Sequence, residues 1–123
     1  MDTPKIFESE YHFCLIMWEH EPVTTVELVK LCQERLGWKR TTTYTVIKRL
    51  GDRGVLKNDE GTVTSLVSKE EAQAREINEL LEEKFQGSLP AFIAAFTRRR
   101  DISDKELDEV QRMIDRIRKG ESE

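Results

Sequence analysis

The chain has 123 residues, 37% of them apolar and 36% charged, with a formal net charge of −4 and two cysteines, a balance that suits one soluble domain or a smaller one with an appendage. No run approaches the ~20 apolar residues of a membrane helix, and Met1-Asp2-Thr3-Pro4 lacks the basic and apolar regions of a secretory leader, so a cytoplasmic protein without membrane insertion is expected. Cys14 and Cys32 are too few for a disulfide scaffold and lack metal-ligand spacing, so no metal and no cofactor are expected.

Apolar residues Tyr11, Cys14, Leu15 and Trp18 recur at helical spacing and predict a first helix over 9–21, with Phe13, Ile16 and Met17 on its other faces. A helix apolar all round is buried on more than one side. Pro22 stops it, and Thr24-Thr25-Val26-Glu27 has the form of a capping box that opens a second helix through Leu28, Cys32 and Leu36, ended by Gly37. The third helix is predicted over 40–53, with Val46, Ile47 and Leu50 on one stripe and Thr42, Thr45 and Arg49 on another. Two short β-prone pieces follow, 55–57 and 62–67, joined by an Asn58-Asp59-Glu60-Gly61 turn.

Three helices, the last two joined by a tight glycine turn, then a small hairpin, make a winged helix-turn-helix. Its charge is unevenly spread. Between Lys39 and Lys57 the bases Lys39, Arg40, Lys48, Arg49, Arg53 and Lys57 face only Asp52, a local net of +5 inside an acidic chain. Such an island is a candidate anion-binding surface, because a phosphate backbone feels the local field at contact range.

After residue 67 the pattern changes. Ser68-Lys69-Glu70-Glu71 opens a helix carrying Ile77, Leu80, Leu81 and Phe85; Ser88 caps a shorter one with Leu89, Phe92, Ile93 and Phe96. Ser103-Asp104-Lys105-Glu106 opens a last helix with Leu107, Val110, Ile114 and Ile117 at coiled-coil spacing, ended by Gly120. About 55 residues rarely close a core around so many large apolar groups alone. The expectation is therefore a mainly α chain with a small β-hairpin: a winged-helix DNA-binding domain over 1–67 and a three-helix dimerisation domain over 68–123, assembled as a homodimer. Cys14 and Cys32 are read as core residues rather than a redox switch, His12 and His20 as solvated, and Arg98-Arg99-Arg100 as a solvated helix end.

The run from Trp38 to Leu50, WKRTTTYTVIKRL, with Gly54-Val55-Leu56 after it, resembles the penicillinase repressor family, as do Trp18, Leu66-Val67-Ser68 with Glu70-Glu71, and Gly87-Ser88-Leu89. The resemblance covers nearly the whole chain. It implies a transcriptional repressor rather than an enzyme, binding palindromic double-stranded operator DNA through its third helix. Thr41, Thr42, Thr45 and Arg49 match the family's DNA-contacting positions, Thr41 replacing a lysine common among members; Lys39, Arg40, Lys48 and Lys57 are added from the basic island. In some members a membrane-bound sensor protease leads to cutting at an Asn-Phe bond, and the corresponding pair here is Ala95-Phe96, without the asparagine. The cysteine cluster of the copper-responsive branch has no counterpart beyond Cys32. The acidic wing, Asp59 and Glu60, leaves open a second reading, a winged-helix protein-interaction module that has lost DNA binding.

Overall fold

The computed structural model describes residues 3–120; Met1-Asp2, on which part of the leader expectation falls, and Glu121-Ser122-Glu123 lie outside the described residues. The element order is α1 (Glu8–His20), β1 (Val23–Thr24), α2 (Thr25–Leu36), α3 (Arg40–Asp52), β2 (Leu56–Asp59), β3 (Thr62–Ser65), α4 (Lys69–Phe85), α5 (Leu89–Thr97) and α6 (Asp104–Arg118). Two compact units result, one running to Glu79 and one beginning at Leu80. The first therefore continues past residue 67, because Ala72 of α4 belongs to its core.

In the first unit α1 buries Phe13, Cys14, Ile16 and Met17, as its all-round apolar sequence requires. These pack with Leu28 and Cys32 of α2, Val46, Ile47 and Leu50 of α3, and Val55, Leu56 and Val63 of the sheet region. Each large side chain so buried contributes roughly 1.5–3 kcal/mol by leaving water. Trp18 donates from Nε1 to the Val67 carbonyl at 3.0 Å, and Ser65 donates from its backbone N–H and its hydroxyl to Glu21 at 2.7 and 2.8 Å. Both ties hold the return of the wing against the end of α1.

The sheet departs from the expected hairpin. Three antiparallel strands lie in the order β1-β3-β2, with Val23 opposite Val63 and Asp59 opposite Thr62. Asn58 and Asp59, expected in the turn, extend β2 instead. The loop shrinks to Glu60 and Gly61, at φ 51° and 92°, the left-handed pair that a two-residue hairpin matching the strand twist demands. Asn58 still serves the turn, its Oδ1 accepting from the Gly61 N–H at 3.0 Å.

Capping follows the local chemistry. Thr24 accepts from the Glu27 N–H at 3.1 Å, and Ser68 and Glu71 form a full reciprocal box at 2.9 and 3.0 Å. Ser88 and Ser103 each accept a helix N–H at 3.1 Å.

In the second unit Phe85 meets Phe92 edge-on at 5.7 Å and Phe92 stacks near Phe96 at 6.0 Å. Neither α5 nor α6 buries a single residue.

Candidate nucleic-acid interface

The helix-turn-helix is built by Gly37. At φ 69° it takes the left-handed conformation that ends α2, while its N–H donates to Gln33 at 3.1 Å and that of Trp38 to Cys32 at 3.3 Å. The chain then enters α3 after only Gly37, Trp38 and Lys39. Trp38 lies nearly parallel to Phe13 of α1, centroids 6.2 Å apart and 2° between planes, which fixes where α3 begins.

The two faces of α3 are sharply different. Thr43, Val46, Ile47 and Leu50, at i, i+3, i+4 and i+7, are buried. Thr43, absent from the expected apolar stripe, is fully buried; beyond the weak Cys32 thiol its hydroxyl meets no hydrogen-bond partner among the described residues. With that side locked in the core, Thr41, Thr42, Thr45, Lys48 and Arg49 are all exposed, as are Lys39 and Arg40 at the helix start and Lys57 on β2. The structure thus places every residue of the expected DNA-contacting set at the surface, seven of the eight on or just before a single helix.

Their hydrogen-bonding states differ. The Thr45 hydroxyl donates to the Thr41 carbonyl at 2.9 Å, so toward solvent it offers lone pairs and a methyl group. The Arg40 guanidinium sits 5.6 Å from the Tyr44 ring centroid, and Lys48 pairs with Asp52 at 3.2 Å. Both Lys48 and Asp52 are well exposed, so that pair is weak and readily exchanged.

The basic island is smaller than the sequence count. Arg53 is turned inward: it ion-pairs with Glu10 of α1, which is 6% exposed, donates to the Lys5 carbonyl at 2.7 Å and lies 5.1 Å from the Phe7 ring centroid. It belongs to the fold rather than to the surface. What remains is Lys39 and Arg40 at the N-terminal end of α3, where no acidic residue enters the first turn, with Lys48 and Arg49 further along the helix and Lys57 on β2. In α1, α2, α4 and α6 the first turn carries Glu or Asp, which complements the helix dipole.

Among the described residues no cluster of three or more His, Cys, Asp or Glu could hold a metal ion. Burial, with the Glu10 carboxylate adding and Arg53 opposing, pushes the Cys14 thiol up to about 12; burial likewise raises that of Cys32. Among the described residues no helix is long and apolar enough to cross a membrane.

A family model described as penicillinase repressor matches residues 6–116. The chain belongs to the penicillinase repressor family. A penicillinase repressor of Bacillus licheniformis is 22% identical over 116 residues, 91% of each chain. Among solved structures, a Staphylococcus aureus MarR in complex with salicylate and kanamycin aligns over 95% of this chain and 76% of its own, at 20% identity and a TM-score of 0.43. As a member of the penicillinase repressor family the chain is a transcriptional repressor and not an enzyme. The winged helix-turn-helix described above is the fold in which this member presents α3.

Proposed function

We propose that this repressor acts as a homodimer on a palindromic operator in double-stranded DNA, with α3 of each protomer in successive major grooves. The observation that carries the reading is the division of α3 into a locked apolar side and an exposed side of threonines and cations. Thr41, Thr42, Thr45 and Arg49 are the base-reading set: a threonine presents hydroxyl and methyl to base edges, and an arginine can grip guanine bidentately. Lys39, Arg40, Lys48 and Lys57 meet phosphates. Cations at the positive end of a helix repel it unless an anion is present, and a phosphate supplies one. Glu60 at the wing tip, with Asp59 beside it, would be repelled, so the wing contributes through Lys57 alone.

On this reading the winged half, 1–67, carries the DNA contacts and 68–123 the dimer. Support for the dimer comes from exposed apolar side chains on the later helices: Ile77, Leu80, Leu89, Ile93, Phe96, Leu107, Val110, Ile114 and Ile117 are each 37% exposed or more, with Leu81, Phe85 and Phe92 half-buried. Met113, which the sequence spacing passed over, joins them at 37%. A sensor protease acting at Ala95-Phe96 in the cytoplasm would have to unwind α5, since both residues lie within it.

The test is retention of a labelled fragment from the chain's own promoter region across a salt series with competitor DNA. Log affinity should fall by about 0.9 per phosphate contact for each decade of salt. Failure to retain any DNA at low salt would replace this reading with the protein-interaction module.

A further inference from the structure

A cavity of about 370 Å³ lies in the first unit, between the N-terminal segment, α1 and the start of α4. That is within the range of about 300–1,000 Å³ usual for small-molecule sites. Buried Ile6 and Ala72, with half-buried Pro4 and Tyr11, give it an apolar interior; Glu8 and Glu76, both exposed, also line it. Its permanent cation, Arg75, is committed elsewhere, donating from Nε to the Thr3 carbonyl at 2.7 Å and from a terminal nitrogen to Glu79 at 2.6 Å. His12, the other basic side chain of the lining, is exposed. Among the described residues neither Glu8 nor Glu76 enters an ion pair. The result is an apolar hole whose lining includes two carboxylates without an ion-pair partner among the described residues.

We propose that this cavity binds a small organic cation, an amine on an apolar or aromatic body. The body would replace water against Ile6, Ala72 and the Tyr11 ring, and the ammonium group would sit between Glu8 and Glu76. Occupancy also has a route to α3. Ile6 lines the cavity, and the adjacent Lys5 carbonyl accepts from Arg53, the residue that closes α3. A ligand that fixes the Pro4–Ile6 segment therefore loads the anchor of the helix. Its meaning for repression rests on the DNA-binding reading, but binding itself is measured without DNA.

The experiment is an amide chemical-shift titration of the full chain, isotope-labelled and DNA-free, with phenethylammonium, using 2-phenylethanol and phenylacetate as neutral and anionic controls. Saturable shifts at Ile6, Tyr11 and Ala72, with linked shifts at Arg53 and Gly54, are expected at about millimolar concentration. The neutral alcohol and the E8Q/E76Q double variant should each bind roughly tenfold more weakly, the effect of losing a charge-assisted contact. Glu8 and Glu76 are exposed, and the single E8Q and E76Q variants provide the same comparison should the double variant misfold. Equal affinity for amine and alcohol, undiminished binding by the glutamine variants, or no saturable shift at these residues overturns the site. Shifts that stop short of Arg53 and Gly54 overturn the link to α3.

Discussion

Arg53, at the end of α3, ion-pairs with Glu10 in the first turn of α1 across 43 positions of sequence, and the pair is largely withdrawn from solvent, with side chains 29% and 6% exposed. Removing one member of such a pair leaves the other charge buried without its partner, so Arg53→Met should lower unfolding free energy by roughly 3 kcal/mol in urea titrations. Because Arg53 does not reach the exposed face of α3, the salt dependence of DNA binding by the folded variant should match wild type. A shallower salt slope would return Arg53 to the DNA interface.

Arg49 should behave in the opposite way. It is exposed on α3 and makes no ion pair among the described residues. Arg49→Ala should leave the thermal midpoint close to wild type while weakening operator binding by roughly tenfold to a hundredfold, the ~1–3 kcal/mol of a bidentate base contact. Anisotropy titrations against operator and random DNA check it: equal loss on both would make Arg49 a phosphate contact.

The difference between these two arginines marks where the sequence stops being legible. Charge counting saw both in one basic run, since direction of approach to α1 is set by tertiary packing and leaves no trace in spacing. Gly37, Thr24, Ser88 and Ser103 were readable because capping is chemistry within four residues. Strand β1 was not, because Val23 finds its partner Val63 forty positions away and two residues carry no period of their own. Thr43 occupies a core position of α3 but is polar, so an apolar template passes over it. The exposed face of α3 was legible for the converse reason: once Val46, Ile47 and Leu50 are inside, helical geometry leaves Thr42, Thr45 and Arg49 outside.

Cys14 and Cys32 should resist alkylation. Both are fully buried and both thiols are raised, that of Cys14 to about 12, so little thiolate exists at neutral pH. Maleimide should add to neither in the native protein and to both in denaturant, read by mass spectrometry. Fast native labelling would reopen the redox-switch reading.

Acid should weaken one identifiable tie. Hydrogen bonds from Arg75 and Lys5 hold the Glu79 carboxyl below its ordinary value of 4.5. A carboxyl depressed in the folded state stabilises above its unfolded pKa, and that contribution is lost as pH falls through the lower folded value. Glu79→Gln should therefore reduce stability slightly near neutrality and flatten its decline below about pH 4.5. Urea midpoints measured from pH 6 to about pH 3 test the sign; an unchanged acid limb would mean the contacts are too screened to matter.

The dimer prediction turns on α6. Leu107, Val110, Ile114 and Ile117, spaced 3, 4 and 3, remain 49%, 48%, 40% and 69% exposed in the single chain. By two-fold symmetry a substitution in this seam acts twice, so placing a charge there should cost roughly 3–6 kcal/mol of association, twice the value of one buried aliphatic side chain. Ile114→Glu should shift sedimentation equilibrium from dimer to monomer while circular dichroism keeps its helical signal, because Ile114 lies outside the core of the first unit. Operator affinity should fall with it, since two half-sites are then no longer joined in one molecule. Wild-type protein that sediments as a monomer at every concentration would remove the dimer, and with it the palindromic operator, from the proposed function.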